Sequence, residues 1–591
     1  MSNAKPGSPA TDLVERLGRL SQERRALLLR NLAEKQVCGF ELVAQSLFEC
    51  GISHIYGVAG QPTEEILPAC FRWNIRPIGV YHQTAAVCMA TAQNYQAGCL
   101  VAAALVSAGP AATNAITGLL VARDNGWPVI VLGGRRSSFQ KCDVLPMIRP
   151  VTKYAVDVPS TGSIVRCIHE ACNIATSGRP GPAYLDLHED VLRGRVVAAP
   201  SCPANLTTPT GTLPSVSDLD VERTMGALLS ARRPALLLGK GVRWTVVPAQ
   251  LQALTEALGL PFITSPLGRG FVPDDHPLCF NRARTALQSR ADVVLILGAR
   301  LNWIFRHGAE LSPKAHVFRV DVHREDEDGG EIQTDFIQAD AGDFVARLLI
   351  VTTSRHDEIA DISRRRCLDE WHHSLRTASE KYQHVIDQRM NCDAQPMSPY
   401  RMMKEVRDAL PRDAICITDG NVSMIAAQMV IPAFRPASRM DAGTNACMGV
   451  GIPFAIGAKV ACPDRVVVAV TGDYGFSLSA MEMEVCVRHN IPIVVVVANN
   501  QGNSGALKQR TYFPKDSAGR VMMFQPGIQY DRMLKMFGGQ GTTITDPALL
   551  KPTLEAALSA GTPYCINVVI DPETPLPNAW GEQASDRETE S

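Results

Sequence analysis

Asp473, Asn500 and the glycines beside them are the residues of this chain whose types and spacing best suit metal chemistry. Asp473 follows a β-branched run, Val466–Val470, and Asn500 follows a second apolar run, Ile491–Val497. Between them Ser479–Arg488 has helical composition, so the stretch reads as strand, helix, strand with the two strands parallel. Such a unit carries Asp473 and Asn500 just past the carboxyl ends of two strands in one sheet, the edge along which open parallel sheets bind ligands. A carboxylate, an amide oxygen and a nearby backbone carbonyl form a hard-oxygen set suited to Mg²⁺ holding a diphosphate. Glycines at 472, 475 and 502 let backbone approach phosphate closely.

Taken singly, a Gly-Asp pair and an Asn-Asn pair are ordinary turns. Their separation of 27 residues (500 − 473) makes the combination specific. This pattern resembles the thiamine diphosphate motif of the acetolactate synthase and pyruvate decarboxylase superfamily. The resemblance implies that Asp473, the Asn500 side chain and the Gly502 carbonyl hold Mg²⁺ on the cofactor diphosphate, with Gly472, Tyr474, Gly475 and Asn503 around it. The chain departs from the pattern at Tyr474, where a small residue is commoner.

At 591 residues the chain is too long for one core, and three or four domains are expected. A net charge of −1 leaves no basic stripe for nucleic acid or an anionic membrane. The longest apolar runs are strand-sized, which argues against a transmembrane helix. The start, MSNAKPGSPATD, lacks the apolar core of a signal peptide. The 17 cysteines are scattered through apolar segments without a CxxC pair, as reduced thiols packed in a core would be. Cys167 and Cys172 (CIHEAC) have a spacing that could serve a metal, but core or surface helix is the simpler reading. A soluble, cytoplasmic α/β protein is expected.

Residues 1–36 form an N-terminal extension, with Ser21 a candidate N-cap for an amphipathic helix reaching Lys35 that would pack on the body or dock a partner. From 37 to 200 strands and helices alternate. The strand near Ile55–Val58 breaks into Gly60-Gln61-Pro62, Ile78–Tyr81 ends at His82-Gln83, and SAGPAATN runs from Ser107 to Asn114. The stretch from Ser107 to Gly134 resembles the pyrimidine-binding domain of the superfamily, and Phe139–Lys153 resembles acetolactate synthases. A Pro/Thr-rich linker at Pro200–Pro214 precedes a Rossmann-like unit over 218–350. In that unit Arg300 and Asp321 follow strand-like runs, where a phosphate and a ribose could bind. The phrase GARLNWIFRHG, Gly298–Gly308, resembles oxalyl-CoA decarboxylases and 2-hydroxyacyl-CoA lyases. The resemblance implies an adenine nucleotide in this domain, ADP or part of coenzyme A, or FAD as in acetolactate synthases.

A diphosphate domain is expected over 398–572, with a polar tail at 573–591. Asp419-Gly420-Asn421 follows a strand and offers a diphosphate contact. By resemblance, Met448 supports the bent cofactor between its rings and the Ala446 carbonyl meets the aminopyrimidine. The fold class is therefore α/β, with three doubly wound parallel-sheet domains (pyrimidine-binding, Rossmann-like and diphosphate-binding). The resemblance further implies a homodimer or homotetramer with the active site at the subunit interface. The expected activity is making or breaking a C–C bond beside a carbonyl, in a small-molecule substrate that is a 2-oxo acid or an acyl or 2-hydroxyacyl thioester.

One family residue is replaced. Family members place a glutamate after the histidine, and it protonates N1′ of the cofactor's aminopyrimidine; here the pair is His82-Gln83. An amide can donate a hydrogen bond but cannot deliver a proton. Three readings follow: chemistry that demands little of this step, as in glyoxylate carboligases; an acid recruited from the substrate with His82 nearby; or a silent cofactor-binding scaffold.

Overall fold

The computed structural model describes residues 36–197, 213–324, 332–503 and 521–574. The segment expected to form an N-terminal helix, most of the Pro/Thr-rich linker and most of the tail lie outside the described residues. Each third of the chain contributes one parallel sheet. The first has the order Arg76–Gly79, His54–Gly57, Ala102–Val106, Val129–Arg135, Pro182–His188, Tyr154–Asp157. The middle sheet runs Phe262–Thr264, Pro234–Leu238, Val293–Leu297, His316–Asp321, Thr334–Gln338. The last runs Arg439–Met440, Ile415–Asp419, Val467–Gly472, Val494–Asn499, Tyr564–Val569, Gln540–Ile544. An antiparallel ribbon, Gln36–Cys38 with Arg195–Val197, joins the two ends of the first domain.

These strands are apolar along their whole length because helices cover both faces, so Val467–Val470 and Val494–Ala498 are buried residue after residue. In the last sheet Asp419 lies opposite Thr471, and Gly472 opposite Ala498. Residues 420, 473 and 500 thus leave the sheet side by side along one edge. The expected single helix over Ser479–Arg488 is instead two pieces. A helix starts at Asp473 itself and runs to Ser479, a 3₁₀ turn covers Ala480–Glu482, and Met483–Arg488 follows. Ser477 Oγ back-bonds to the Asp473 carbonyl at 2.7 Å, and the break turns Glu482 toward the first domain. The strand expected from Ile491 begins at Val494. Cys167 and Cys172 lie buried in the helix Ile164–Thr176. Among the described residues no group of His, Cys, Asp and Glu suited to a metal occurs, and no helix is long and apolar enough to cross a membrane.

The first and last domains share a core. Helix Gln83–Ala97, buried from Ala85 to Gln96, lies against helix Gly451–Ala461. The approach is close because Gly457 has no side chain: a Cβ there would sit 2.2 Å from the Met89 carbonyl oxygen. Trp127 meets Phe454 edge-on at 5.7 Å in the same core. A 29-residue helix, Ile362–Met390, connects the middle and last domains, with Trp371 Nε1 bonded to the Pro234 carbonyl at 3.0 Å. Overpacking of this kind costs about 1–3 kcal/mol. Gly457→Ala is therefore expected to lower the urea unfolding midpoint, and a midpoint equal to wild type would contradict the close approach of the two helices.

Candidate active site

Asp473 is buried under the turn that carries Asn500 and Gly502. Its Oδ1 accepts the Tyr474 N–H at 2.8 Å, and its Oδ2 accepts the Gly502 N–H at 2.9 Å. Burial pushes its pKa up to about 6 despite these bonds. The outer amide atom of Asn500 lies 2.9 Å from the Gly502 carbonyl oxygen and 3.2 Å from Asp473 Oδ1. With oxygen in that position three acceptors converge with no proton among them. Rotating the amide would supply two N–H bonds; a divalent cation would satisfy all three oxygens without rotation. The edge beside them is open. A Cβ on Gly472 would meet nothing within 4 Å, and one on Gly420, at φ +83°, would lie 3.4 Å from the Gly472 nitrogen. Two bare backbones therefore line a space that a diphosphate could fill, so the residues present fit both Mg²⁺ and the diphosphate group.

Asn421 is exposed at the start of helix Asn421–Val430, whereas the carboxylate of Asp419 faces inward. Asp419 accepts the N–H of Gly449 at 3.0 Å and of Gly451 at 2.9 Å, which pins the far end of the loop 443–451. The Gly475 position packs against Asp419, the Tyr474 ring stacks on Phe524 at 6.0 Å, and the Asn503 N–H bonds the Met522 carbonyl at 2.8 Å. Between the pinned ends of the loop, Ala446 and Met448 are exposed. Ala446 has φ +55°, a left-handed conformation costly for a residue with a Cβ.

The first domain brings a second group together. The Asn114 amide donates to Gln83 Oε1 at 3.0 Å, and Thr84 Oγ1 donates to the Asn114 carbonyl at 2.5 Å. The carbonyl end of Gln83 is thus occupied, which leaves its NH₂ end as the available donor. The exposed His82 caps the helix by accepting the Thr84 N–H at 3.2 Å. Gly60 packs against Ser107, the Gln61 carbonyl accepts the Ala108 N–H at 3.4 Å, and Pro62 sits against Gly134. Within one chain no hydrogen bond among the described residues joins the Gln83 group to the Asp473 group.

Glu482 was not singled out by sequence, although an acidic residue in the run Leu478–Val487 was its signal. It is fully buried and accepts the N–H of Tyr81 at 3.2 Å and of His82 at 2.9 Å, holding the segment that precedes Gln83. Arg300 and Asp321 line one cavity with Lys240, Asn125 and Thr444 at the meeting of all three domains. A second cavity of about 380 Å³ lies between the middle and last domains. It is lined by Arg269, Arg282 and Arg284 on one side and by Ile425, Gln428 and Met429 on the other.

Models of thiamine pyrophosphate enzymes match the chain in three parts: the N-terminal TPP binding domain over 38–142, the central domain over 221–348 and the C-terminal TPP binding domain over 419–568. The chain is 31% identical over 562 residues to a 2-hydroxyacyl-CoA lyase of Arabidopsis thaliana, covering 90% of this chain and 96% of that protein. It is 30% identical over 550 residues to the acetolactate synthase large subunit IlvG of Mycobacterium tuberculosis (91% and 96% covered). It is also 27% identical over 561 residues to the oxalyl-CoA decarboxylase of Escherichia coli strain K12 (90% and 95% covered). The chain belongs to the thiamine pyrophosphate enzymes. It is a thiamine diphosphate-dependent enzyme of the lyase, decarboxylase and carboligase class.

Burial pushes Glu482 up to about 7, against the pull of its two N–H bonds and of Arg488, with Glu484 adding to the rise. The folded state thus holds a proton that the unfolded chain releases nearer pH 4.5. The associated stability is fully present below that pH and is lost as pH rises through about 7. Its size is at most about 3 kcal/mol. Unfolding midpoints measured from pH 5 to 8 should fall more steeply in wild type than in Glu482→Gln; parallel profiles would contradict the assignment.

Proposed function

We propose that the enzyme acts on an acyl or 2-hydroxyacyl thioester with a long, anionic carrier arm. The observation that carries this reading is the arginine-lined cavity beside helix Asn421–Val430. That helix begins at the open edge, and its residues Ile425 to Val430, roughly 6 to 14 Å along it at about 1.5 Å per residue, form part of the cavity wall. A small 2-oxo acid held at the edge would not reach the far wall; a long-armed thioester would. Arg269 is paired with Asp274, but Arg284 leaves Nε and Nη2 buried without a hydrogen-bond partner. Burial lowers Arg284 to about 10, so it remains a cation at neutral pH and suits a phosphate on the carrier. Relatives whose names carry 2-hydroxyacyl-CoA and oxalyl-CoA support the same choice.

In this reading Asp473, Asn500 and the Gly502 carbonyl hold Mg²⁺, with Gly420, Asn421, Gly472, Tyr474, Gly475 and Asn503 lining the diphosphate space. Bound thiamine diphosphate supplies the carbon nucleophile and electron sink for chemistry at a C–C bond beside a carbonyl. Met448 and the Ala446 carbonyl would meet its rings, and the NH₂ of Gln83 would donate to N1′. His82 would be the nearest titratable side chain to that amide. Gly60, Gln61 and Pro62 would border the pyrimidine. A homodimer or homotetramer is inferred from two features. The Gln83 and Asp473 groups are not joined within one chain, and Tyr81, Met448, Leu478 and Met481 expose apolar surface around them. The cavity holding Arg300 and Asp321 would take an adenine nucleotide.

Asp473→Ala should abolish the Mg²⁺-dependent rise in thermal stability that thiamine diphosphate gives the wild type. Arg284→Met should raise KM for a thioester about tenfold with little change in kcat, leaving any turnover of free 2-oxo acids unaltered. Wild-type KM in that variant would remove the thioester reading. Gln83→Glu restores an acid and should speed C2-proton exchange of bound cofactor, followed by NMR in heavy water after rapid quench. Unchanged exchange would mean that residue 83 does not reach N1′.

A further inference from the structure

The loop 443–448 is held by residues outside the Asp473–Asn500 motif. Lys240, from the turn after the middle-domain strand Pro234–Leu238, donates from Nζ to three acceptors. These are Thr444 Oγ1 at 2.7 Å, Asn125 Oδ1 at 2.7 Å and the Asp124 carbonyl at 3.0 Å. Trp303 Nε1 donates to the Thr444 carbonyl at 3.0 Å, and Arg300 Nη2 reaches Thr444 Oγ1 at 3.1 Å. From the first domain, Asn125 Oδ1 accepts the Thr444 N–H at 3.0 Å, and Asp124 Oδ2 accepts from the Asn445 amide at 2.7 Å. The next residue is the strained Ala446, and two further on is Met448. A left-handed alanine persists only where its surroundings over-determine it. Here Thr444 and Asn445 are fixed on one side and Gly449 and Gly451 on the other.

We propose that Lys240 and Trp303 are positioning residues for the cofactor. From the middle domain Lys240 holds the hydroxyl of Thr444 and Trp303 its carbonyl, and so they set where the Ala446 carbonyl and Met448 stand at the site edge. The inference rests on the reading of Met448 and Ala446 as cofactor supports. Its ligand is thiamine diphosphate with Mg²⁺, but its first readout needs neither.

The test uses the full chain, with hydrogen exchange of the peptide spanning 443–448 measured in cofactor-free protein, and calorimetric binding of thiamine diphosphate with Mg²⁺. Trp303→Phe keeps an aromatic side chain, though a smaller one, and loses the indole N–H; Thr444→Val keeps the shape and loses the hydroxyl, which Thr444→Ser retains. Trp303→Phe and Thr444→Val should each raise loop exchange about tenfold and weaken cofactor binding by a similar factor, as loss of a bond to a held group does. Thr444→Ser should return both to wild type, with exchange in helix Gly451–Ala461 unchanged throughout. Wild-type loop exchange in both impaired variants, or a Thr444→Ser as impaired as Thr444→Val, would overturn the proposal. If Thr444→Val does not fold, Trp303→Phe decides through the same two measurements. A wild type that binds no thiamine diphosphate would count against the cofactor reading instead, and the exchange measurement would still decide whether the loop is held from the middle domain.

Discussion

Oxygen atoms from Asp473, Asn500 and Gly502 meet in one small volume, and the protein has no hydrogen atom to place among them unless the Asn500 amide turns. At 2.9–3.2 Å the arrangement is satisfied either by an amide turned to donate two N–H bonds or by a cation that meets all three oxygens. Adjacent parallel strands deliver 473 and 500 to one edge. Bare glycine backbones keep the neighbouring space clear. Burial of Asp473 makes its charge costly until a cation neutralises it.

A second constraint acts in the first domain, at Gln83. Gln83 cannot lend a proton, and Asn114 occupies its carbonyl end, so the first domain presents a neutral donor of fixed orientation. The segment before Gln83 is held from the diphosphate domain by Glu482, while the loop bearing Met448 is held from the first and middle domains. Each domain thus helps to place groups carried by another.

Much of the fold was legible because strands covered on both faces read as unbroken apolar runs, as at Val467–Val470 and Pro234–Leu238. The Gly-Asp and Asn-Asn pair was legible because both members leave adjacent strands at their carboxyl ends, a local rule of topology. What stayed hidden was long-range. Glu482 meets Tyr81 across 401 positions and Lys240 meets Thr444 across 204, and no period or motif encodes such a pairing. The break of the expected helix at Ala480 combines a local cause, the Ser477 back-bond, with the long-range contact of Glu482 with the first domain. The inward aim of Asp419 was equally invisible: a strand-end aspartate reads the same whether it faces the open edge or a buried turn.

The shared core of helices Gln83–Ala97 and Gly451–Ala461 also has a consequence during synthesis. The ribbon of Gln36–Cys38 with Arg195–Val197 lets the first domain close on itself as soon as it leaves the ribosome. Its helix, however, must wait for a partner 354 residues further on (451 − 97). At about 5–20 residues per second that interval is roughly 20–70 s. For that time the alanine-rich face that ends up buried stands uncovered, and a pause in translation beyond residue 200 would lengthen its exposure.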